Sequence, residues 1–366
     1  MIITGIKING FRNFETLKSD FVPGANIFFG NNGSGKTNFL ESLFVLCLGR
    51  SQLGVPDAVL LKNDEEYYRL EGNIGKDGRA QEIAVAYQRG GRKKVTVDGV
   101  PSRASELFDN FCAVSTGPED SVILSGPPSA RRTFLDMYLS QLSRGYLSDL
   151  TAYHKVLSQK NAALKNDMDP SPFEPQLVGH GARVILKRIE FLAALRQKAV
   201  GYYADISGGE TFDLIYKPTL TNGEDRFDEV TGLADIETQF EKCLDEQFDK
   251  ERYLKTTIVG PHRDEIYFEI AGLPARQYGS QGQWRTAAIS LKLGVYHLLK
   301  EKRKASPVLL LDEIFAELDR RRVESLINAF GGFDQLFLTT AGTPPEQLTA
   351  GGRCYRIVKG AIEEII

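Results

Sequence analysis

The chain has 366 residues, more than one ordinary hydrophobic core accommodates and enough for about two domains. Apolar residues make up 42% and charged residues 25%, which excludes collagen-like, disulfide-framework and wholly disordered classes. With 45 Lys and Arg against 48 Asp and Glu, the net charge is −3, so any nucleic acid must be held by a local basic patch. No apolar run approaches the ~20 residues of a membrane span, and Lys7, Asn9 and Arg12 are unlike a secretory signal. Four scattered cysteines without CxxC pairing suggest reduced thiols. The expectation is a soluble cytoplasmic protein with no membrane partner.

Met1–Ile8 and Thr16–Val22 are expected strands flanking a polar knot, and Ala25–Phe29 is a short apolar strand ending at a glycine. A helix should follow over Thr37–Leu48. Arg69–Ile74, Glu82–Tyr87 and Lys94–Val97 alternate between glycine-rich turns, the pattern of an antiparallel meander. From Arg131 the apolar positions Leu135, Tyr138, Leu142, Leu150, Tyr153, Leu157 and Leu164 predict a long helical stretch, stopped by Asp167-Met168-Asp169-Pro170-Ser171-Pro172. Val178, Ala182, Ile185, Ile189, Leu192 and Leu195 predict a second helix. The two should lie antiparallel as a stubby arm of roughly 40–50 Å. Further on, Thr211–Tyr216 and Glu265–Ile270 suggest strands, and Ile236–Leu254 and Trp284–Lys304 helices. Val308–Leu311 is the uninterrupted apolar run of a strand buried on both faces. A helix over Arg320–Phe330 and a strand over Gln335–Leu338 complete the chain.

Gly30-Asn31-Asn32-Gly33-Ser34-Gly35-Lys36-Thr37 fits the phosphate-loop pattern and lies between an expected strand and helix. Glycines let backbone N–H groups turn toward phosphate oxygens, and the new helix adds the positive end of its dipole. In that chemistry Lys36 reaches the β- and γ-phosphates and the Thr37 hydroxyl ligates Mg²⁺. Composition alone would place such an octet in about one or two chains of this length in a hundred. Far downstream, Val308 to Glu313 is a buried strand ending in two carboxylates. A carboxylate there is costly unless matched by a cation, which makes Asp312 a metal ligand and Glu313 a candidate to polarise water. An acidic pair suits hydrolysis better than transfer to a bound acceptor. Ser280-Gln281-Gly282-Gln283 before the Trp284 helix has the makings of another anion-binding corner, or of a plain helix cap.

The order of these features, closed by Ala316-Glu317-Leu318-Asp319, resembles the ABC-type ATPase heads of the SMC class. Within that class the chain is similar to the RecF family of bacterial recombination mediators over essentially its whole length. Gly10-Phe11-Arg12-Asn13-Phe14, Pro118-Glu119-Asp120, Arg131 to Asp136, Tyr153 to Asn161, Gly260 to Asp264 and Gly279 to Thr286 carry that likeness. The resemblance implies an α/β head with a mixed sheet and antiparallel meander, formed by residues 1–125 and 255–366, with a helical arm inserted over 126–254. It implies an ATP- and Mg²⁺-dependent homodimer that binds duplex and gapped DNA. RecO and RecR would be partners in placing RecA on gaps coated with single-strand-binding protein, supporting replication restart and the SOS response. Hydrolysis would be weak, DNA-stimulated and a timer. By the same resemblance Gly30 to Thr37, Asp312 and Glu313 serve their own subunit's nucleotide, whereas Ser280, Gly282, Gln283 and Asp319 belong to the shared pocket. Arg12 becomes a candidate nucleotide contact, an exposed loop arginine being the alternative.

Two features depart from the pattern. Gly117-Pro118-Glu119-Asp120 lacks the metal-sensing glutamine of other such heads, and Thr339-Thr340 stands where a switch histidine is usual. Trp284 follows the signature where small polar residues are more common. Arg131 and Arg132 open a helix, where cations oppose the dipole, so a phosphate or an acidic partner nearby would explain them, a solvated helix start being the alternative. His262-Arg263-Asp264 suits a turn fixed by an ion pair. Arg89, Arg92, Lys93 and Lys94 form a basic hairpin tip, a DNA contact or a solvated turn. A transporter subunit would carry its signature far closer to the phosphate loop. A chromosome-organising protein would need a coiled coil that the insertion cannot supply.

Overall fold

The computed structural model describes residues 1–76, 79–221, 232–316, 318–342, 344, 346–349 and 351–364. Two compact units emerge. The first comprises residues 1–120, 205–208 and 295–366, the second 121–204 and 209–294. The expected division near 125 and 255 therefore differs from the observed one, because residues 255–294 group with the inserted helices. Strand Glu265–Ile270 pairs antiparallel with Phe212–Lys217, and Thr219 binds both Gly260 and Asp264.

In the first unit, strands Ile2–Phe11, Phe14–Asp20, Tyr67–Lys76, Arg79–Gln88, Lys94–Val97 and Val100–Ser102 form an antiparallel sheet, which includes the expected meander. A second sheet runs, in spatial order, Ala361–Glu364, Arg353–Val358, Gly24–Phe29, Gln335–Thr340, Val308–Asp312 and Ala113–Thr116. All its pairs are parallel except the outer hairpin, whose two strands the apolar pattern did not predict. Every residue of Val308–Asp312 is buried, as its unbroken apolar run requires.

Helix Lys36–Leu48 is apolar nearly all round and packs between the two sheets; Phe39, Leu40, Leu43, Phe44, Leu46 and Leu48 are all fully buried. It comes so close to the meander that a side chain on Gly72 would strike Leu46. Behind the phosphate loop, Phe28 packs on Phe39 at 4.4 Å and on Tyr355 at 4.6 Å, while Phe21 meets Phe337 edge-on at 5.0 Å. Pairs of this kind contribute about 0.5–1.5 kcal/mol each beyond area burial. They tie the strand entering the loop to the helix leaving it.

The second unit is mostly helical, and its expected single stretch from Arg131 is two helices, Pro128–Leu142 and Arg144–Lys165. Ser143 is extended between them, and its hydroxyl accepts from Tyr146 N at 3.1 Å to cap the second helix. The Glu174–Ser207 helix has 34 residues, about 50 Å at the standard rise. Tyr153, Val156 and Leu157 bury against Val178, Ala182, Ile185 and Ile189, joined by Ile236, Phe240 and Leu244 of the Leu233–Leu254 helix. A buried Lys160 bonds to Glu251 at 2.8 Å within this core.

The ion pair expected within His262-Arg263-Asp264 forms instead between Asp264 and Arg188 of the long helix, and Arg263 is exposed. Asp264 accepts from Thr219 N and the Tyr216 hydroxyl and lies 3.8 Å from Arg188. Burial pushes its carboxyl up, and burial brings the His262 imidazole down to about 4. Among the described residues no helix is long and apolar enough to cross a membrane.

Candidate nucleotide-binding cleft

The phosphate loop is shaped by the chain around it. Gly35 has φ 110°, and a side chain there would strike the Asn13 amide. That amide donates to Ser34 O at 3.4 Å and accepts from Asn38 Nδ2 at 2.7 Å, so the Gly10-to-Phe14 segment braces the loop from outside. Lys36 is only 4% exposed. Its Nζ donates to the carbonyls of Gly30 (2.9 Å) and Asn31 (3.1 Å) and lies 3.2 Å from Glu313 Oε1. Thr37 Oγ1 donates to Asp312 Oδ2 at 2.7 Å.

Thr339 was legible only as the place of a missing histidine, yet it holds both carboxylate residues. Its hydroxyl donates to Asp312 Oδ1, and its carbonyl and hydroxyl oxygens each lie 3.1 Å from the Glu313 N–H. Parallel pairing sets Asp312 directly beside Thr339. Glu313 sits at φ 45°, a left-handed conformation unfavourable for a side chain by roughly 1–2 kcal/mol, which those bonds offset. Burial raises the Asp312 carboxyl above its ordinary value, against the two hydroxyls that donate to it.

These groups wall a cleft of about 340 Å³, with Gly33, Lys36 and Thr37 on one side and Glu119, Asp312 and Glu313 on the other. A nucleotide phosphate fits it on two counts. Ser34 Oγ is buried and has no hydrogen-bond partner among the described residues. Gly33 faces open space, for a side chain there would meet nothing within 4 Å. A divalent cation fits as well. Thr37 and the buried Asp312 supply one hydroxyl and one carboxylate, and among the described residues no cage of three or more His, Cys, Asp or Glu exists. So sparse a protein set suits Mg²⁺, which keeps water and phosphate oxygens as its other ligands. Glu119, in the segment that lacks a glutamine, lines the same cleft.

Other expected site residues lie elsewhere. The Arg12 guanidinium grips buried Glu41 at 2.7 and 3.2 Å and Val59 O at 3.1 Å, next to Asn13, which braces the loop. Glu41 lies one helical turn beyond Thr37 and also takes the Ser51 hydroxyl at 2.5 Å. Asp319 caps the helix Arg320–Ala329 by accepting from Arg322 N at 3.0 Å; Glu317 is outside the described residues. On the basic hairpin, Lys93 pairs with Asp57 at 2.9 Å, whereas Arg92 and Lys94 are exposed.

Ser280, Gly282 and Gln283 belong to the second unit. The helix begins at Gln281, earlier than expected, which puts the signature in its first turn. Ser280 Oγ accepts from Gln283 N at 3.3 Å, Gln283 Oε1 accepts from Ser280 N at 2.9 Å, and Gln283 Nε2 donates to Glu210 at 2.6 Å. Trp284 now has a physical account. Its indole N–H donates to Ala275 O at 2.6 Å, and the ring fills the space that Gly279 leaves, fixing the turn before the signature.

A strand–phosphate loop–helix unit, a buried Asp-Glu strand end and a separate Ser-x-Gly-Gln helix start define an ABC-type ATPase head of the SMC class. The profile of the RecF/RecN/SMC N terminal domain matches residues 2–359. The DNA replication and repair protein RecF of Lachnoclostridium phytofermentans is 34% identical, and that of Lysinibacillus sphaericus 33%, each alignment covering 100% of both chains. A solved structure of the recombination mediator protein RecF with ATP, in the RecFOR pathway, has a TM-score of 0.89 at 31% identity, covering 100% of this chain and 97% of that one. An Smc head bound to the C-winged helix domain of ScpA shares the fold at TM-score 0.57 and 15% identity, over 100% of this chain and 98% of its own. The chain belongs to the RecF family of DNA replication and repair proteins.

Proposed function

We propose that this chain is an ATP-switched DNA-binding protein of recombinational repair. ATP and Mg²⁺ occupy the cleft, an ATP-driven homodimer binds duplex and gapped DNA, and with RecO and RecR it helps load RecA onto gaps coated by single-strand-binding protein. Replication restart and SOS induction follow from that loading. Weak, DNA-stimulated hydrolysis reopens the dimer. Bound Mg²⁺ would supply charge neutralisation at the β- and γ-phosphates. Thr37 and Asp312 hold its position, Lys36 turns from Glu313 to the phosphates, and Glu313 accepts a proton from the attacking water. Ser280, Gly282 and Gln283 meet the γ-phosphate bound by the partner, with Asp319 in the same shared pocket. Only a triphosphate bridges both surfaces, which makes ATP and not ADP the closing ligand.

The observation that carries this reading is the cleft, where Lys36 pairs with Glu313 and Thr37 bonds to Asp312, with the Ser34 hydroxyl of the same loop orphaned. The full-length likeness to a RecF–ATP structure supports it. The expected result is duplex binding that is at least ~10-fold tighter with ATP·Mg²⁺ than with ADP·Mg²⁺, measured by fluorescence anisotropy; tenfold requires only about 1.4 kcal/mol of coupling. Equal affinity in the two nucleotide states would remove the switch.

A further inference from the structure

Two arginines open the helix Pro128–Leu142, and only one finds an acidic partner. Arg131 is buried, with Nε and Nη2 donating to the two oxygens of Glu265 at 2.6 and 2.9 Å. Its Nη1 reaches the carbonyls of Ile123 and Gly126. Arg132 donates from Nη1 to the Asp264 carbonyl at 2.8 Å. Among the described residues no carboxylate lies within ion-pair distance of it.

Arg132 lines a cavity of about 240 Å³ in the second unit, together with Ser129, Thr133, Asp136, His154 and Arg188. The one carboxylate on its wall is already paired with a cation. Asp136 Oδ1 takes Arg188 Nη2 at 2.8 Å and the Tyr146 hydroxyl, which matches its charge. His262 Nδ1 takes the Tyr153 hydroxyl at 2.6 Å, because Nε2 faces the Thr257 carbonyl and must carry the proton. The donors are not engaged. Among the described residues the side chains of Ser129, Thr133 and His154 make no hydrogen bond. Two hydroxyls, an imidazole and most of a guanidinium therefore line one space without a hydrogen-bond partner among the described residues. A phosphate group, which presents acceptors and a negative charge, complements such a wall.

We propose that this cavity is a phosphate site for nucleic acid, with Arg132 gripping a backbone phosphate of DNA and Ser129, Thr133 and His154 completing its oxygen contacts. The proposal rests on the DNA-binding reading above. Ser129, Thr133 and His154 are exposed at the rim while Arg132 is half-buried, so a phosphate on a continuous strand reaches the guanidinium from the surface without being engulfed. The charge stays local, which reconciles DNA binding with a net charge of −3.

The test is duplex binding by the full chain in ATP·Mg²⁺ over a series of salt concentrations, with ATP-dependent dimerisation and thermal unfolding measured on the same samples. Arg132→Ala should weaken binding about tenfold and lower the slope of log affinity against log salt by about one, with dimerisation unchanged. Arg132→Lys should recover part of the loss, since lysine still serves phosphate as a point charge. His154→Ala, at the exposed rim where folding is not at stake, should cost roughly threefold. Wild-type affinity and salt slope in Arg132→Ala and His154→Ala would overturn the site and leave the DNA-binding reading standing. A wild-type chain that binds no duplex in ATP·Mg²⁺ would overturn both. A phosphorus NMR titration with inorganic phosphate separates the sources: phosphate captured through Arg132, with duplex affinity unaltered in the variants, would assign the pocket to a free anion and refute the proposal.

Discussion

Replacing Lys36 with methionine is expected to weaken ATP binding about 100- to 1,000-fold and to abolish ATP-dependent dimerisation and DNA binding with it. Methionine preserves most of the side chain's length and apolar stem but removes the charge. In the structure that charge is buried and shared among Gly30 O, Asn31 O and Glu313. Removing one member of a desolvated charged contact costs about 2–5 kcal/mol, and each 1.4 kcal/mol is a factor of ten. The two carbonyls lose their common donor at the same time, so the loop is also less well organised. Calorimetric titration of ATP into the variant measures the loss directly. Near-normal ATP affinity in Lys36→Met would mean that the loop backbone alone holds the phosphates.

Glu313→Gln should act in the opposite sense on the complex. The glutamine keeps the shape and the backbone bonds to Thr339 but takes no proton from water, and a general base typically contributes 10²- to 10⁴-fold. Hydrolysis measured in single turnover should therefore fall at least about 100-fold. ATP affinity should hold or rise a few-fold, because Lys36 is no longer drawn to a carboxylate and one negative charge leaves a cleft that also contains Asp312 and Glu119. The closed dimer should then outlive the wild-type one and retain DNA. Normal turnover in the glutamine variant would assign proton acceptance to another group.

Much of the cleft was legible because its parts are local. An eight-residue loop between an apolar strand and a helix, and a carboxylate pair at the end of an apolar run, are patterns whose chemistry is written in neighbouring positions. What escaped depends on contacts between distant positions. Thr339 matters only because parallel pairing sets it beside Asp312. The partner of Arg12, Glu41, is revealed by the packing of the phosphate-loop helix and by nothing adjacent in sequence. Trp284 looked anomalous until Ala275 and Gly279 were placed against it. The break at Ser143 was hidden by a hydrophobic stripe that resumes on its far side, and the outer hairpin of the parallel sheet by short strands with mixed exposure.

The most direct measurement of the central claim is the mass of the full chain in solution by multi-angle light scattering, with ATP·Mg²⁺ and with ADP·Mg²⁺. The account predicts twice the 40.7 kDa chain mass with ATP and a single chain with ADP. A mass that stays at one chain in saturating ATP, or a dimer indifferent to which nucleotide is present, would contradict it.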